Sequence, residues 1–373
     1  MKVEILKENL KNGLGVVERI VGKNPSLPIL DNVLMSTEDN FLSLSSTNLE
    51  TAIKLWILTK IVKKGKAAVP AKFLSSFVSL LPNEKITLEE EGQRVNIECK
   101  NLKNQIQSFN PEEFPIIPEF ENPDSLEVDN KTFCQGLSQI VDVASPSQSR
   151  PEISGIYFVF SKNILKIVAT DSFRLAEKTI SLETAVKKDV AFILPQKPAK
   201  EVMNILAEKD GKIRIYFSPS QTMFELPMKE ISHPQVQIIS RLIDGEYPNY
   251  QEIIPSKFKT HVLIKRDEFL NQIKTASLFA GKINEVKIRI KPESKEVEIF
   301  AQDPDIGKSQ SNISAKIEGD AIEASFNHKF LIDGLLNIKS SEVIFDLSKE
   351  EGPCVLKPVG DASYIYVVMP IKA

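Results

Sequence analysis

Acidic residues at the ends of two alternating stretches are the first candidates for chemistry in this sequence. Asp171 follows the stretch LKIVAT, and Asp303 and Asp305 follow or lie close behind VEIFAQ. Clustered carboxylates can bind a divalent cation or act as general acid and base. An enzyme, such as a hydrolase or a nucleotide-handling protein, that uses these three residues with a metal is therefore one hypothesis. The segment 302–305 is also typical of a turn, because aspartate and proline favour turn conformations.

The glycine motifs that bind phosphates are incomplete. Gly307-Lys308-Ser309 matches the end of a phosphate-binding loop, but Gln302 stands at the position of its first glycine. Gly13-Leu14-Gly15 lacks the third glycine of a dinucleotide-binding turn and lies inside an amphipathic stretch, where glycines allow close packing of a helix. The motifs GxSxG and HExxH do not occur. The enzyme hypothesis therefore has no motif to support it.

The cysteines and histidines argue against a metal centre and against a disulfide framework. The three cysteines are widely separated and form no CxxC pair, and the three histidines are equally scattered. We therefore expect reduced, partly buried thiols, no metal and no cofactor. The residues concerned are Cys99, Cys134, Cys354, His233, His261 and His328.

The composition is that of an ordinary globular protein. The 373 residues are 42% hydrophobic and 26% charged, and the formal net charge is −3. Averaged over the whole chain, this charge argues against a nucleic-acid partner. No apolar run of about 18 residues occurs, and the N-terminal MKVEILKENL lacks the apolar core of a signal peptide. We therefore expect a soluble, cytoplasmic protein.

The elements that would position these residues repeat three times along the chain. Each copy begins with an extended stretch and a helix whose apolar residues follow an i, i+4, i+7, i+11 pattern, in VEILKENLKNGLGVVERIVG, LEVDNKTFCQGLSQIVDVAS and VLIKRDEFLNQIKTASLFAG. An alternating stretch then ends in a polar residue. These residues are Asn48, Asp171 and Asp303, spaced by 123 and 132 residues.

A second landmark gives almost the same spacing. Pro70, Pro195 and Asn327, spaced by 125 and 132 residues, stand where a strand turns into a second helix. The prolines suit a first helical turn and the asparagine suits a cap. Since Asp171 and Asp303 occupy equivalent loops in different copies, the repeat argues against a single catalytic constellation.

The remaining stretches complete the predicted fold. Alternating segments such as KITLEEEGQRVNIECK and KIRIYFSPSQTMFELPM predict antiparallel hairpins. Proline-rich segments at 114–125 and 246–257 predict linkers. The sequence thus predicts an α+β fold of three similar tandem domains, each with two helices and about eight strands in antiparallel sheets. We place the domains at 1–122, 123–254 and 255–373.

Six segments in the order of the repeats carry a family resemblance. They are SLPIL (26–30), TNLE (47–50), ATDSFRLA (169–176), SRLIDGEYPNY (240–250), FN (326–327) and YVVMPI (366–371). Together they resemble the bacterial sliding clamp family, the β subunit of DNA polymerase III. The resemblance implies the DNA clamp fold and a head-to-tail homodimer whose six domains form a ring around duplex DNA, with the helices lining the hole.

The implied function is that of a non-enzymatic processivity factor in DNA replication. Such a clamp tethers the replicative polymerase, and it binds the clamp loader and repair polymerases through short linear motifs. A ring retains DNA by enclosure, so a modest positive field inside it is sufficient and no base readout is needed. A net charge of −3 is compatible with that arrangement. A scaffold that binds peptides but not DNA remains a third interpretation.

Basic residues on or beside the helices are the candidates for DNA contact. The resemblance places Asn24, Gln148 and Arg150 against DNA, although Asn24 stands where family members often have arginine. Lys197 and Lys200 are assigned to the same contact. Basic residues on or beside these helices include Lys7, Lys11, Arg19, Lys72, Lys131, Lys197, Lys200, Lys274, Lys329 and Lys339.

The resemblance also implies a groove for partner peptides between the second and third domains. Leucine and phenylalanine anchors would enter an apolar slot, with Arg174 orienting the peptide. Three departures from the family, Ser172-Phe173 for Gly-His, Phe330 for tyrosine and Glu252 for arginine, predict a more apolar slot with a different rim charge. The implied groove residues are Ile153, Thr170, Ser172, Phe173, Arg174, Leu175, Pro248, Ile253, Asn327, Phe330, Val367, Val368, Met369, Pro370 and Ile371.

The ring interface is the last implied site. By resemblance, the edge strand that holds Ile106 meets the third-domain region around Leu278 of a second copy. Such a heterologous contact closes after two subunits because each subunit carries three similar domains. A charge at Ile106 is expected to give a monomer.

Overall fold

The computed structural model describes residues 1–22, 26–120, 125–147 and 149–372. Six α-helices occur in this part of the chain, two in each sequence repeat. They are α1 (Lys7–Val17), α2 (Ala71–Leu80), α3 (Asn130–Ile140), α4 (Gln196–Leu206), α5 (Arg266–Ser277) and α6 (His328–Leu336).

The strands follow the same order in every repeat. The first repeat contains β1 (Lys2–Leu6), β2 (Asn32–Glu38), β3 (Phe41–Thr47), β4 (Thr51–Leu58), β5 (Lys60–Lys63), β6 (Lys66–Pro70), β7 (Lys85–Glu91), β8 (Arg94–Cys99) and β9 (Leu102–Gln107). The second contains β10 (Ser125–Asp129), β11 (Gly155–Ser161), β12 (Ile164–Thr170), β13 (Arg174–Ser181), β14 (Val190–Pro195), β15 (Lys212–Phe217), β16 (Gln221–Pro227) and β17 (Pro234–Arg241). The third contains β18 (Thr260–Lys265), β19 (Glu285–Lys291), β20 (Glu296–Asp303), β21 (Gly307–Ser314), β22 (Lys316–Gly319), β23 (Ile322–Asn327), β24 (Glu342–Leu347), β25 (Cys354–Pro358) and β26 (Tyr364–Val368).

The predicted repeat is confirmed by this order. Within the described ranges, each copy has two helices and eight or nine strands. The first and third copies differ from the second only by one extra short strand, β5 or β22. The spacing of polar landmarks in the sequence therefore identified a real structural period.

Contacts divide the chain into two compact units that cut across the three repeats. The first unit comprises Met1–Cys134 and Lys197–Leu242, and the second comprises Gln135–Gln196 and Ile243–Ala373. The first unit holds a five-stranded sheet, β5-β1-β7-β8-β9, and an eight-stranded sheet, β10-β15-β16-β17-β4-β3-β2-β6. The second unit holds a nine-stranded sheet, β14-β11-β12-β13-β26-β25-β24-β18-β22, and a four-stranded sheet, β21-β20-β19-β23.

The middle repeat is split because its strands join the sheets of both neighbours. In the first unit, β17 pairs antiparallel with β4 from the first repeat, with Ser240 opposite Thr51. In the second unit, β13 pairs antiparallel with β26 from the third repeat, with Val368 opposite Arg174. Each junction satisfies the backbone groups of two strands that would otherwise be sheet edges.

The amphipathic helices pack with their predicted faces against these sheets. Leu10, Leu14 and Val17 of α1 are fully buried, and each such side chain stabilises the fold by about 1.5–3 kcal/mol. Gly13 permits the close approach, since a Cβ atom there would lie 2.5 Å from Ile57 Cδ1. The glycines of 13–15 thus belong to a packed helix, as the amphipathic pattern indicated.

The second helix of each repeat begins directly after a strand. Asn327 caps α6 as predicted, because its side-chain oxygen accepts a hydrogen bond from the Lys329 N–H at 3.0 Å. The two prolines stand one residue earlier than predicted. Pro70 and Pro195 end β6 and β14 instead of occupying the first helical turn. At the end of a strand the missing N–H of proline removes no ladder hydrogen bond.

No helix among the described residues combines the length and the apolar character needed to cross a membrane.

Candidate functional site

The turn Thr170–Arg174, between β12 and β13 in the second unit, is held by its own side chains. The Asp171 carboxylate accepts hydrogen bonds from the N–H groups of Phe173 and Arg174, both at 3.0 Å. The Thr170 hydroxyl donates to the Arg174 carbonyl at 2.7 Å and accepts from the Ser172 N–H at 3.2 Å. Ser172 adopts the left-handed region with φ of 76°. Together these bonds present Ser172 and Phe173 at the surface.

The same side-chain capping occurs in all three repeats, while the left-handed residue that follows the cap is present in the first two, at Leu49 and Ser172. The Asn48 side chain accepts from the N–H groups two and three residues ahead, at 3.1 and 2.8 Å. Asp303 does the same at 2.8 and 3.2 Å. Asp171 and Asp303 therefore stabilise turns by a bond that aspartate and asparagine commonly form. No group of three or more His, Cys, Asp or Glu side chains suited to a metal ion occurs in the ranges described.

Arg174 joins three parts of the second unit. Its Nε donates to Asp171 Oδ2 at 3.0 Å, one terminal nitrogen donates to Asp333 of α6, and the other donates to the Asp142 carbonyl at 3.2 Å. The first of these terminal nitrogens also lies 3.5 Å from the Tyr366 hydroxyl. The side chain is 11% exposed. Each of the three guanidinium nitrogens of Arg174 thus already donates a hydrogen bond within the fold.

The electrostatic surroundings keep this guanidinium charged. Burial alone lowers the pKa of Arg174, but Tyr366, Asp333 and Asp171 outweigh that effect and the pKa is raised. Burial raises the pKa of Tyr366, whose hydroxyl donates to the Phe330 carbonyl at 2.8 Å. The cluster is therefore a fixed, charge-paired support across the whole neutral pH range.

An aromatic pair, Phe330 and Phe173, packs next to the Arg174 cluster. The guanidinium carbon of Arg174 lies 4.7 Å from the centroid of the Phe330 ring, a cation–π contact. The Phe330 and Phe173 rings stack with centroids 6.4 Å apart and planes inclined by 21°. Phe173 is 62% exposed. The pair thus forms an apolar surface at the exposed face of the turn.

The C-terminal run is fixed beside the turn. β26 pairs with β13, with Val367 opposite Leu175. Beyond the strand, the Met369 N–H donates to the Phe173 carbonyl at 2.8 Å, and the Ile371 N–H donates to the Ser325 carbonyl at 2.7 Å. The turn, the C-terminal run and α6 therefore meet in one place.

The fifteen expected groove residues divide into a support and a surface. Buried in the fold, and so available only as support, are Ile153, Thr170, Leu175, Val367, Val368 and Pro370. Exposed or half-buried are Ser172, Phe173, Arg174, Pro248, Ile253, Asn327, Phe330, Met369 and Ile371. Ile253, 43% exposed, ends the 3-10 helix Tyr250–Ile253 of the second linker. Glu252 in the same turn is exposed and accepts a hydrogen bond from Asn249 at 2.7 Å.

Sequence reasoning missed the residues that hold Arg174. Asp333 and Tyr366 make these contacts, as does the Asp142 carbonyl. Asp333 stands three residues after Phe330 in α6, so the helical period could have placed both on one face. The Asp142 contact has no signal in the sequence, because a backbone carbonyl carries no residue identity.

The expected DNA residues fall into different environments. Asn24 and Gln148 lie outside the described residues. Arg150 is engaged near the groove, where it donates to Ser172 Oγ at 3.2 Å and to Glu152 at 3.1 Å. Lys197 is exposed and Lys200 is half-buried.

Three other basic candidates already have acidic partners. Lys7 is buried and pairs with Glu8 at 3.3 Å, Arg19 pairs with Glu201, and Lys131 pairs with Asp210 at 2.7 Å. In contrast, the second residue of each second helix is an exposed lysine. These three residues are Lys72, Lys197 and Lys329.

The two expected interface residues differ in how far their side chains are exposed to solvent. Ile106 lies in β9, the edge strand of the five-stranded sheet, but its side chain is only 7% exposed. Leu278 follows α5 and is 70% exposed. A charge at Ile106 is therefore expected to disturb its own sheet as well as any interface.

Comparison with known proteins covers the whole chain. Three family models match it, described as the N-terminal, central and C-terminal domains of the DNA polymerase III beta subunit, over residues 1–118, 127–249 and 251–372. The beta sliding clamp of Synechococcus elongatus is 26% identical over 379 residues, covering 100% of this chain and 99% of that protein. The beta sliding clamp of Staphylococcus aureus is 25% identical over 382 residues, with the same coverage.

Solved structures give the same relationship. The crystal structure of the DNA polymerase sliding clamp from Bacillus subtilis superposes with a TM-score of 0.95 at 26% identity, covering 100% of this chain and 99% of that one. The DNA polymerase III beta subunit from Thermotoga maritima superposes with a TM-score of 0.91 at 26% identity and the same coverage. The three-domain clamp fold and the family resemblance expected from the sequence are confirmed. The chain belongs to the DNA polymerase III beta subunit family, the bacterial sliding clamps, which are non-catalytic processivity factors of DNA replication.

Proposed function

We propose that two copies of this chain close head to tail into a ring that encircles duplex DNA and tethers the replicative polymerase to it. The observation that carries the proposal is a property of the sheet edges. Inside the chain, β4 pairs with β17 and β13 pairs with β26 where neighbouring repeats share a sheet. The edge strands β21 and β9 hold the same positions in their own repeats as these pairing strands. A second copy supplies the partner that each edge lacks in its own sheet.

The equivalence can be followed strand by strand. β4, β13 and β21 each follow the turn capped by Asn48, Asp171 or Asp303. β9, β17 and β26 are each the last strand of their repeat. Since β4 pairs with β17 and β13 with β26, the remaining pair is β21 of one copy with β9 of another.

The register of this pair follows from the internal junctions. One position is equivalent in the three repeats, because its backbone N–H donates to the strand that leads into the second helix. The residues at this position are Phe109, Ile243 and Ile371. Three residues earlier stand Ile106, Ser240 and Val368. Ser240 is opposite Thr51 and Val368 is opposite Arg174, the first residues of their strands. Ile106 is accordingly expected opposite Gly307 of the second copy.

Exposed apolar residues accompany both edges. Leu278 occupies the position equivalent to Arg19, which pairs with Glu201 inside the first unit. Glu201 is the sixth residue of α4, and the sixth residue of α2 is Ser76. Beside Ser76 lie Phe73, 58% exposed, and Leu80, 85% exposed. An ion pair at an internal junction would thus be replaced by apolar contact at the ring interface.

DNA contact is proposed for the repeated lysines. Lys72, Lys197 and Lys329 hold the same place in α2, α4 and α6, so a dimer carries six of them. Exposed ammonium groups attract phosphates without reading the base sequence. A ring that encloses its ligand needs no tighter hold, which agrees with a net charge of −3.

The groove of the second unit is proposed as the site for linear motifs of polymerases and the clamp loader. Phe173, Phe330 and Met369 give it an apolar surface that suits leucine or phenylalanine anchors. Its exposed members are held by the Asp171 turn and by the Arg174 contacts, so little ordering is needed on binding.

We also propose the domain boundaries at 122 and 254. The first lies in the gap between the matched ranges of the N-terminal and central family models, and the second lies just after the third match begins at residue 251. Action in the bacterial cytoplasm, where the chromosome is replicated, is part of the same proposal.

Retention on circular DNA tests the ring. The protein is loaded by its clamp loader onto a nicked circular plasmid and then separated from free protein by gel filtration. We expect it to stay on the circle and to leave after the plasmid is cut once. Blocking both ends of the cut DNA with bound protein is expected to restore retention. Equal retention on circular and free linear DNA would contradict enclosure.

A further inference from the structure

Two adjoining cavities, of about 630 and 380 Å³, lie in the first unit beside the end of α4. They share four lining residues, Leu58, Lys209, Met228 and Gln235, and they extend between α1, the end of β4 and the turn from β16 to β17. Both volumes are within the range of ligand sites, which is about 300–1,000 Å³. All lining residues belong to one unit, and none belongs to the groove described above.

Much of the wall of this space is apolar. Besides the shared Leu58 and Met228, the apolar lining residues are Phe41, Pro227 and Ile231 in the larger cavity and Val16, Leu55, Trp56 and Ile57 in the smaller one. Leu58 is 69% exposed and Ile231 is 49% exposed, so the space opens to solvent. A short hydrocarbon chain that enters it would exchange water for apolar contact.

Lys209 is held in the wall by its own backbone. Its N–H donates to the Leu206 carbonyl at 2.9 Å. Its carbonyl accepts a hydrogen bond from the side chain of Asn130, which also donates to the Leu206 carbonyl at 2.7 Å. Asn130 is fully buried, whereas Lys209 is half-buried and lines both cavities. The fold therefore presents the Lys209 side chain to the apolar space.

The acidic residues of the wall do not neutralise Lys209. They are Glu208, Asp210 and Glu230. Asp210 pairs with Lys131 at 2.7 Å and with Lys229 at 3.2 Å, and the other two are exposed. Within the part of the chain that the structure describes, the Lys209 ammonium makes no ion pair and no hydrogen bond. Lys209 is thus a half-buried lysine without a counter-charge.

These surroundings favour the neutral amine of Lys209. Burial lowers the pKa of Lys209, because its ammonium loses hydration and no acidic neighbour opposes the effect. At Lys131 the opposite holds, since the hydrogen bond to Asp210 raises the pKa of that lysine. Only the neutral amine is a nucleophile, and placement in apolar surroundings is a known way to activate lysine.

We propose that Lys209 is a modification site, where its amine takes a short-chain acyl group from an acyl phosphate and the acyl chain lies in the apolar space beside Leu58 and Met228. The nitrogen lone pair attacks the carbonyl carbon, so that an amide N–C bond forms and the C–O bond to phosphate breaks. The phosphate leaves with the electron pair of that bond and takes one proton from the nitrogen. The products are N-acyl-lysine and inorganic phosphate. This site is independent of the groove and of the ring.

Acyl donors of two chain lengths test the proposal. The full-length protein is incubated with acetyl phosphate or butyryl phosphate at about pH 7.5, where an ordinary lysine is almost fully protonated. Mass spectrometry of its peptides gives the initial rate of acylation at each lysine, and the exposed Lys64, Lys188 and Lys316 are the reference. With acetyl phosphate, we expect Lys209 to react about fivefold faster than the reference lysines. With butyryl phosphate, this ratio should rise about threefold further, because the longer chain gains apolar contact.

A matched variant tests the role of the cavity. Leu58→Ser removes an exposed part of the apolar wall, so it should abolish the preference for the longer chain while the reference lysines react as before. Ile116→Ser is the control, because Ile116 is 95% exposed in the same unit and lines neither cavity. Lys209→Arg, which keeps the charge, verifies the assignment of the acylated peptide. A Lys209 that reacted no faster than the reference lysines, or a preference that did not grow with chain length, would overturn the proposal.

Discussion

Arg174 and Phe173 are neighbours in sequence, but their roles in the proposed groove are physically separable. Arg174 is 11% exposed and links Asp171, Asp333 and Tyr366, whereas Phe173 is 62% exposed and contributes a ring surface. Phe173→Ala is expected to weaken a labelled Leu-Phe peptide about tenfold, measured by fluorescence anisotropy, because an apolar contact worth about 1–2 kcal/mol is lost. The free energy of unfolding should change by less than about 0.5 kcal/mol.

Arg174→Ala is expected to lower both the affinity for the peptide and the free energy of unfolding. Removing the guanidinium leaves the carboxylates of Asp171 and Asp333 without their cation, and loss of one partner of a partly buried pair costs about 2–5 kcal/mol. Arg174→Lys keeps the charge but not the fork of donors, so it should recover part of the stability. If Arg174→Ala abolished peptide binding while stability stayed at the wild-type value, Arg174 would be a direct peptide contact and the positioning role would be wrong.

Glu298 of β20 is a buried carboxylate outside the groove whose effect depends on pH. Its side chain is 3% exposed and is contacted by Lys291, Arg289 and Gln310. The Lys291 hydrogen bond is the main cause that lowers the pKa of Glu298, against an opposing effect of burial. Because the folded pKa lies below the unfolded value, the stabilisation is complete above the unfolded pKa of about 4.3 and is lost as pH falls through the folded pKa.

Glu298→Gln is therefore expected to reduce the free energy of unfolding by about 1–3 kcal/mol at pH 7 and by much less near pH 3. Urea unfolding at both pH values measures the difference. Glu323→Gln is the matched control, since Glu323 shares Arg289 but its side chain is 45% exposed, and it should cost less than about 1 kcal/mol. A deficit of Glu298→Gln that was the same at both pH values would contradict the charge-based explanation.

At the level of single residues, the sequence predicted positions better than roles. Asn48, Asp171 and Asp303 were identified as equivalent, and the structure gives all three the same turn bond. The partners of Arg174 come from segments more than 30 and more than 150 residues away. Local patterns carry no information about such contacts, because Asp142 approaches Arg174 only in the folded second repeat and Asp333 only where the second and third repeats share a sheet.

Sheet sharing is the feature of the elements that local sequence could not predict. Alternation predicts a strand and its hairpin neighbour, as for β7 with β8. The pairing of β4 with β17 joins segments that are far apart in the chain and similar to many other strand pairs. The prediction of three similar tandem domains is therefore confirmed by the repeated order of elements, while the compact units follow the shared sheets.

The repeated elements also explain why a single groove is expected in each chain. The junction of β4 and β17 has the same turn, yet Glu50 stands at the position of Phe173 and Pro198 at the position of Phe330. A carboxylate and a proline cannot form the stacked aromatic surface that Phe173 and Phe330 provide. The repeat therefore supplies a common scaffold, and two side chains decide whether the junction can receive an apolar anchor.

The proposed ring interface leads to a prediction about its elements. Leu278→Asp places a charge in an apolar contact, and we expect it to shift the protein from dimer to monomer at micromolar concentration in analytical ultracentrifugation. Leu80→Asp on α2 should act in the same way from the other side. Leu58→Asp is the control. Leu58 is 69% exposed, almost the same as Leu278 at 70%, but it ends β4, an interior strand of the eight-stranded sheet that takes no part in the proposed interface. A Leu278→Asp protein that remained dimeric at that concentration would refute the placement of the interface.

For the whole molecule, the average charge and the repeated lysines have to be considered together. The net charge of −3 belongs to 47 basic and 50 acidic residues, and much of the basic set is paired with acidic neighbours, as Lys131 is with Asp210. What the repeat preserves is an exposed lysine at the second position of α2, α4 and α6. In a ring, six such charges would surround the duplex while enclosure, and not affinity, keeps the protein on DNA.

The combined change Lys72→Gln, Lys197→Gln and Lys329→Gln separates these two contributions. If the lysines make transient phosphate contacts, each contributes at most about 0.9 to the salt slope of the interaction, so the variant should slide faster and with less dependence on salt than the wild type. Its residence time on a nicked circle should be unchanged, since the dimer interface sets that time. Diffusion on stretched DNA, followed by single-molecule fluorescence, gives the sliding rate, and plasmid retention gives the residence time.

The control removes the same charge from exposed lysines outside the helices, with Lys64→Gln, Lys188→Gln and Lys316→Gln. Sliding equally fast in both triple variants would refute a specific role for the helix lysines, and residence that fell in proportion to charge would show that affinity holds the ring on DNA.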